Sequence, residues 1–138
     1  LYCKSKTDTI LIKPTTYMNN SGRAVREAVQ HFEVDKRDLL LVYDDIDLPL
    51  GKIRYRPDGG TGCHKGVESV IYQFEDDKFP RLKLGIAVGD ETRPSEQYVL
   101  TPFKKPHITT VSDVIAKAVE SIGYFLTHHL KETMNKYN

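Results

Sequence analysis

Residues 13–22 read Lys-Pro-Thr-Thr-Tyr-Met-Asn-Asn-Ser-Gly, and this stretch leads from a strand into a helix. The preceding residues 10–12 are apolar and β-prone, and Pro14 has no N–H to continue a strand ladder. Residues 19–21, Asn-Asn-Ser, are helix-capping types placed just before an apolar helical pattern. In α/β proteins, ligands bind where strand ends meet helix N-termini, so these asparagines are candidate binding residues. The alternative is that either asparagine only caps the helix.

Two further segments also place polar or glycine-rich residues where a strand ends or a helix begins. Residues 39–43, Leu-Leu-Leu-Val-Tyr, form a continuous apolar run that predicts a buried strand. The run leads into residues 44–51, Asp-Asp-Ile-Asp-Leu-Pro-Leu-Gly, whose carboxylates are not typical of a core. Residues 59–66, Gly-Gly-Thr-Gly-Cys-His-Lys-Gly, then open another helix, where glycines allow close backbone approach and the N–H groups suit an anion. Taken singly, each segment could be an ordinary loop or a solvated surface.

In this order and spacing, the segments resemble the bacterial-type peptidyl-tRNA hydrolase family, which cleaves the ester between a nascent peptide and the 3′ ribose of its tRNA. The resemblance runs from about Thr9 to the C-terminus and includes residues 80–86, 98–100 and 134–137. It implies an α/β fold: a single domain over residues 1–138 with a twisted mixed sheet and helices on both faces. It also implies a cytoplasmic enzyme without metal or cofactor that rescues tRNA from aborted translation.

The chain departs from the family pattern in two places. The family opens with a strand, a Gly-Asn-Pro-Gly turn and an Arg-His-Asn motif, which supply an oxyanion-binding amide and the essential histidine. Leu1 falls in what looks like the following hairpin, so we expect the 138 residues alone to have little or no hydrolase activity. The second departure is His64-Lys65-Gly66 in place of His-Asn-Gly, with Cys63 where the family has glycine.

The resemblance assigns catalytic roles to Asp44 and Asn19. Asp44 matches the aspartate that orients the essential histidine. The carboxylate of that aspartate stabilises the imidazolium that forms as the histidine deprotonates water. The alternative for Asp44 is a strand-end cap. Asn19 matches the amide that binds the substrate backbone and the water, whereas Asn20 matches a variable position and is interpreted as a cap. Asp45 and Asp47 match less critical positions and are interpreted as turn and solvent residues.

Tyr17, Asn19, His64 and Lys65 are the expected substrate-binding residues. His64 opens the second helix, and we expect it to contact substrate and not to replace the essential base. A positive helix N-terminus disfavours imidazolium, which makes it a poor place for a group that must take up a proton.

Arg56 and Lys83 match the basic pair with which the family grips the 5′-phosphate of tRNA. Arginine suits bidentate contact with phosphate, and lysine acts as a point charge. The alternative is that both are solvated charges at strand ends. The expected partner is therefore peptidyl-tRNA, bound through its acceptor end and its 5′-phosphate.

Periodicity predicts the remaining elements. Residues 1–6 and 9–13 are interpreted as a hairpin with Thr7-Asp8 in its turn. Alternation of polar and apolar residues predicts a strand with one wet face at 52–56. Apolar spacing predicts a helix at 21–33, with residues 25, 28, 29 and 32 on its apolar face, and a helix at 64–74, with residues 67, 70, 71 and 74 on its apolar face. A strand is expected at 82–87 and a long helix after Pro106. The side chains expected to face the core from that long helix are Ile108, Val111, Ile115, Val119, Ile122 and Leu126.

The composition is that of an ordinary globular chain. The 138 residues are 39% hydrophobic and 28% charged with a net charge of +1, so RNA affinity has to come from local clustering. Cys3 and Cys63 fit no disulfide or metal framework, which suits a reducing compartment. No apolar run approaches the roughly 20 residues that span a bilayer. We expect a monomer that does not bind membranes.

One alternative function belongs to a different class. The chain could be a non-catalytic RNA-binding relative, similar to plant organelle splicing factors that resemble the hydrolases. Lys65 in place of an amide favours this alternative slightly. The pairing of Asn19 with Asp44 favours the enzyme, because a protein that only bound RNA would not need both.

Overall fold

A computed structural model of the chain describes residues 1–4, 8–89 and 92–138. The described chain forms two compact units. The first comprises Leu1–Leu39 and Gly59–Phe79, and the second comprises Leu40–Asp58 and Pro80–Asn138. Within these described ranges, no helix combines the length and the apolar character that a membrane crossing would need.

A short hairpin opens the first unit. Its strands β1 (Tyr2–Lys4) and β2 (Ile10–Ile12) pair antiparallel, which confirms the predicted hairpin. The turn predicted at Thr7-Asp8 falls partly on Thr7, which lies outside the described residues. β2 ends before Pro14, as expected for a residue that cannot donate to the ladder.

Two helices pack against each other in the first unit. They are α1 (Ser21–His31) and α2 (Lys65–Phe74), which confirms both predicted helices to within two residues at each end. Val25 of α1 and Val67 and Val70 of α2 are buried, as the apolar spacing predicts.

Gly22 determines how closely these helices approach. A Cβ atom on Gly22 would lie 2.0 Å from the carbonyl oxygen of Ser69, so only glycine fits between the two backbones. The Gly22 N–H donates to Ser69 Oγ at 3.0 Å. Ser69 therefore satisfies a donor at the start of α1, whereas Asn20, which occupies the N-cap position, makes no side-chain capping bond. The interpretation of Asn20 as a helix cap is wrong for its side chain.

A mixed sheet forms the centre of the second unit, as predicted. Its strands are β3 (Leu41–Pro49), β4 (Ile53–Arg56) and β5 (Arg81–Ala87), in the order β3-β5-β4. β3 runs parallel to β5, and β4 runs antiparallel to it.

β3 is longer than the predicted strand at residues 39–43. It continues through the acidic stretch to Pro49, because β5 pairs with Asp44 and Asp45 before the register shifts. This pairing overrides the low strand propensity of aspartate. Gly85 of β5 permits the shift, since a Cβ there would lie 2.1 Å from the carbonyl oxygen of Pro49.

Two helices cover one face of this sheet. They are α4 (Ile108–Phe125) and α5 (Leu130–Tyr137), which pack with Ile53, Tyr55 and Leu82 in one core cluster. Tyr55 is fully buried, and its hydroxyl lies 3.0 Å from Ser121 Oγ. A shorter helix, α3 (Ser95–Leu100), precedes α4, and single 3₁₀ turns span Met18–Asn20, Lys36–Asp38 and Lys105–His107.

The inward face predicted for α4 is wrong for most of its residues, although Ile122 packs against the core cluster and Val111 is half-buried. Val114, Ala118 and Ser121 are the buried residues, whereas Ile115 is 56% and Val119 is 66% exposed. Four of the six side chains assigned to the core are exposed: Ile108, Ile115, Val119 and Leu126. The small residues Ala118 and Ser121 let α4 approach the sheet closely, and this rotation also gives the buried Tyr55 hydroxyl its partner.

Candidate functional site

The expected substrate-binding residues come together in the first unit. The 3₁₀ turn Met18–Asn20 packs against the start of α2, where a Cβ on Gly66 would lie 2.6 Å from Met18 Sδ. Asn19 follows Met18 directly, so it lies beside the helix end that carries His64 and Lys65. The contact between Met18 and Gly66 was not predicted, because no local pattern links residues so far apart in sequence.

Asn19 and Tyr17 are both available to a ligand. Asn19 is exposed, and its amide makes no hydrogen bond to any residue that the structure describes. Tyr17 is 85% exposed. The alternative in which Asn19 only caps α1 is wrong, because the N-cap position belongs to Asn20 and no side chain caps there. Asn19 is therefore free to donate and accept at once.

His64 is the N-cap of α2. Its Nδ1 accepts hydrogen bonds from the N–H groups of Gly66 at 3.1 Å and Val67 at 3.3 Å. These bonds fix the ring at the helix start and occupy the Nδ1 lone pair, which therefore cannot take a proton from water without breaking the cap. Lys65, the first residue of α2, is exposed beside it.

Cys63 adopts an unfavourable backbone conformation. Its φ is 60°, in the left-handed region that favours glycine, which is the residue expected there from the resemblance. The neighbouring Gly62 has a φ of 56°, and Gly59 has a φ of 138°. The loop thus keeps the glycine-type conformation at Cys63 even though the side chain has changed.

Asp44 lies within β3 of the second unit. It pairs with Leu84 of β5, and the strand continues for five residues beyond it to Pro49, so the alternative of a strand-end cap is wrong. Its side chain is partly buried. Because side chains alternate along a strand, Asp44 and Asp45 point to opposite faces of the sheet.

Arg56 and Lys83 lie on one face of the sheet, opposite the face that α4 and α5 cover. Arg54 pairs directly with Lys83, and Arg56 pairs with Arg81, so Arg56 and Lys83 are diagonal neighbours on adjacent strands. Arg54 is exposed and Arg56 is partly exposed, whereas Arg81 is buried. The two antiparallel strands therefore collect positive charge on one surface of a nearly neutral chain.

Asp45 is not a solvent-exposed turn residue as the sequence suggested. It belongs to β3, and its Oδ2 lies 2.8 Å from Lys83 Nζ, with only 14% of its side chain and 24% of that of Lys83 exposed. Asp47, in contrast, is exposed and pairs with Arg93 at 3.2 Å, which confirms its interpretation as a solvent residue. The sequence carries no signal for the Asp45–Lys83 pair, because it depends on the register between β3 and β5.

The described residues include no cluster of three or more histidine, cysteine or carboxylate side chains arranged to hold a metal ion. Cys3 and Cys63 are both exposed and free of disulfides.

Comparison with known proteins gives a consistent result. The family described as Peptidyl-tRNA hydrolase matches residues 2–138 of this chain. A peptidyl-tRNA hydrolase of Synechocystis sp. is 41% identical over 130 residues, which cover 94% of this chain and 67% of the relative. A second, from Hydrogenobaculum sp., is 44% identical over 131 residues, covering 95% of this chain and 70% of the relative.

Solved structures agree with the sequence relatives. The crystal structure of peptidyl-tRNA hydrolase from Acinetobacter baumannii matches with a TM-score of 0.82 and 25% identity, covering 95% of this chain and 67% of that one. A crystal structure of a peptidyl-tRNA hydrolase complex with N-propanol matches with a TM-score of 0.83 and 27% identity, covering 93% of this chain and 65% of that one. The chain thus spans about two thirds of the length of the relatives it matches.

Proposed function

The chain belongs to the peptidyl-tRNA hydrolase family, and we propose that it serves in the hydrolysis of the ester bond between peptide and tRNA in peptidyl-tRNA. The family match over residues 2–138 is the observation that carries this proposal. The reaction recycles tRNA from aborted translation, so we place it in the cytoplasm. Residues 1–138 act in this proposal as one domain of a monomeric enzyme.

Hydrolysis requires that water attack the ester carbonyl and that the 3′ oxygen of the ribose leave as a hydroxyl. A histidine removes the proton from water, and the family supplies it from its Arg-His-Asn motif. Asp44 orients that imidazole and stabilises its protonated form. Its place within a paired strand suits this role, because hydrogen-bonded neighbours on β5 hold its backbone.

The first unit supplies groups for the peptide and the 3′ end of the tRNA. Asn19 holds the substrate backbone and the attacking water through its unengaged amide. Tyr17, which precedes the 3₁₀ turn, also contacts the substrate, as do His64 and Lys65 at the start of α2. His64 acts there as a fixed contact and not as a base, because its Nδ1 already accepts two backbone N–H groups.

The second unit supplies the clamp for the 5′-phosphate of the tRNA. Arg56 and Lys83 lie diagonally across β4 and β5, so their charges can converge on one phosphate. The position of both side chains on the same face of the sheet supports a shared phosphate site better than two charges at separate strand ends would. Each phosphate contact adds roughly 0.7–0.9 to the slope of log K against log salt.

The test is Asp44→Asn in the protein expressed from its whole gene, assayed with peptidyl-tRNA. We expect kcat to fall by about 10²-fold or more with little change in KM, because orientation and charge matter most in the transition state. Asp47→Asn is the matched control, since it removes the same charge three residues away at an exposed site, and we expect near wild-type kinetics.

The result separates the two functions. If Asp44→Asn retains wild-type kcat, Asp44 is structural and the catalytic assignment fails. If the whole-gene protein binds tRNA but releases no peptide, the chain is the non-catalytic RNA-binding relative.

A further inference from the structure

The ion pair between Asp45 and Lys83 occupies the surface assigned to the phosphate clamp. Lys83 Nζ donates to Asp45 Oδ2 at 2.8 Å, and the same ammonium lies 5.7 Å from the centroid of the Tyr43 ring. The other carboxylate oxygen, Oδ1, accepts the N–H of Asp47 at 2.8 Å. Asp45 is therefore held from two sides and cannot swing away easily from Lys83.

A phosphate that approaches Lys83 meets this carboxylate as well. A terminal phosphate carries a charge of about −1.5 to −2, and a carboxylate a few ångströms away repels it. The pair is mostly shielded from water, so solvent screens this repulsion less than at an open surface. Asp45 also accepts a hydrogen bond from the Lys83 ammonium, which leaves two of its three N–H donors for a phosphate.

We propose that Asp45 is a positioning residue that weakens the hold of Lys83 on a terminal phosphate and so sets the affinity of the clamp. This inference rests on the proposed function, in which Lys83 contacts the 5′-phosphate. Substrate and product carry the same 5′-phosphate, so a tighter clamp would bind both equally. Such uniform binding lowers KM without raising kcat and slows release of the deacylated tRNA.

Under this proposal, removal of the Asp45 charge changes phosphate affinity in the direction opposite to that expected for a purely structural ion pair. Removing one partner of a structural pair weakens whatever the pair supports. Removing the Asp45 charge should instead tighten phosphate binding, and the gain should depend on Lys83. Asp45→Asn keeps the size of the side chain, and its amide oxygen can still accept the Asp47 N–H.

The experiment measures binding of an RNA acceptor-stem hairpin with a 5′-phosphate and of the same hairpin with a 5′-hydroxyl. The proteins are the wild-type chain, Asp45→Asn, Lys83→Met and the double variant, with Asp47→Asn as the charge-matched control. Circular dichroism and thermal unfolding confirm that each variant is folded. For Asp45→Asn we expect the Kd for the phosphorylated hairpin to fall about tenfold, since one nearby unit charge is removed.

Three further results are expected if Asp45 acts through Lys83. The hydroxyl hairpin should bind Asp45→Asn and wild type alike. The tightening should vanish when Lys83→Met is also present. Asp47→Asn should leave the Kd of both hairpins unchanged, because its side chain pairs with Arg93 at the surface.

Several results would overturn the inference. Equal tightening of both hairpins would make Asp45 a general source of repulsion for RNA. Weaker binding by Asp45→Asn would mean that Asp45 supports the clamp and does not moderate it. If Lys83→Met alone left phosphate discrimination intact, Lys83 would not be a ligand and the inference would fail. The hydrolase assignment would survive each of these results, because it is tested separately through Asp44.

Discussion

Gly22→Ala should destabilise the first unit, although the same change in an ordinary helix is favourable. Alanine is better than glycine in a helix by up to about 1 kcal/mol. At this site, however, the new Cβ would lie 2.0 Å from the backbone oxygen of Ser69, and backbone cannot move aside as a flexible side chain can. The helices α1 and α2 must therefore separate by more than an ångström at this point.

The cost can be estimated from the contacts involved. Overpacking of this kind costs about 1–3 kcal/mol. Separation of the helices also weakens the 3.0 Å bond from the Gly22 N–H to Ser69 Oγ, which contributes about 1 kcal/mol. After the gain in helix propensity, we expect a net loss of about 2 kcal/mol in the free energy of unfolding. The 3₁₀ turn with Asn19 leads directly into α1, so substrate binding should weaken as well.

The assay is urea unfolding followed by circular dichroism at the helix band, because the chain has no tryptophan to serve as a fluorescent probe. Gly123→Ala is the matched control: this glycine lies in α4, and a Cβ there would meet nothing within 4 Å. We expect Gly123→Ala to be as stable as wild type or slightly more so. Hydrogen exchange should localise the loss in Gly22→Ala to α1 and α2. If Gly22→Ala unfolds at the same urea concentration as the control, the close approach of the two helices is wrong.

Two further predictions concern stability. Tyr55→Phe removes the buried hydroxyl that lies 3.0 Å from Ser121 Oγ. We expect the free energy of unfolding in urea to fall by about 1 kcal/mol, because Ser121 keeps its hydrogen bond to the Ala118 carbonyl oxygen. A fall of more than about 3 kcal/mol would contradict this expectation. The hydrogen bond from Lys36 holds the pKa of Asp76 below its usual value of 3.8, so the pair stabilises the fold above that pH and loses its effect as pH falls through the lowered pKa. As the pH falls from 6 to 3, the free energy of unfolding should therefore decrease less for Asp76→Asn than for wild type. An equal decrease would show that the Lys36–Asp76 pair does not stabilise the fold.

The sequence by itself determined most of the elements of secondary structure. The apolar run at residues 39–43 and the alternation at residues 52–56 each predicted a strand that the structure contains. The helical spacing in α1 and α2 predicted both helices and their buried valines. These features depend on side-chain patterns within a few residues and, for the helices, on local hydrogen bonds, so a sequence displays them directly.

The faces and partners of those elements were decided only by the tertiary structure. The apolar residues of α4 predicted an inward face that is rotated away from the one observed, in which Val114, Ala118 and Ser121 are buried and Ser121 Oγ lies 3.0 Å from the Tyr55 hydroxyl. The acidic stretch after residue 43 read as a turn, yet β5 extends the strand through it. Local propensity cannot reveal such outcomes, since both depend on groups that are distant in sequence.

Some features of the candidate site were likewise predicted from the sequence, and others became evident only from the fold. Asn19, Asp44, Arg56 and Lys83 were proposed as site residues from the sequence alone, because motif residues keep their order and spacing along the chain. That His64 caps α2 through Nδ1, and that Asp45 binds Lys83, emerged only from the fold. Asp45 and Lys83 are 38 residues apart and meet because parallel pairing sets β3 and β5 in one register. Register is fixed by the packing of the whole sheet and not by either strand alone.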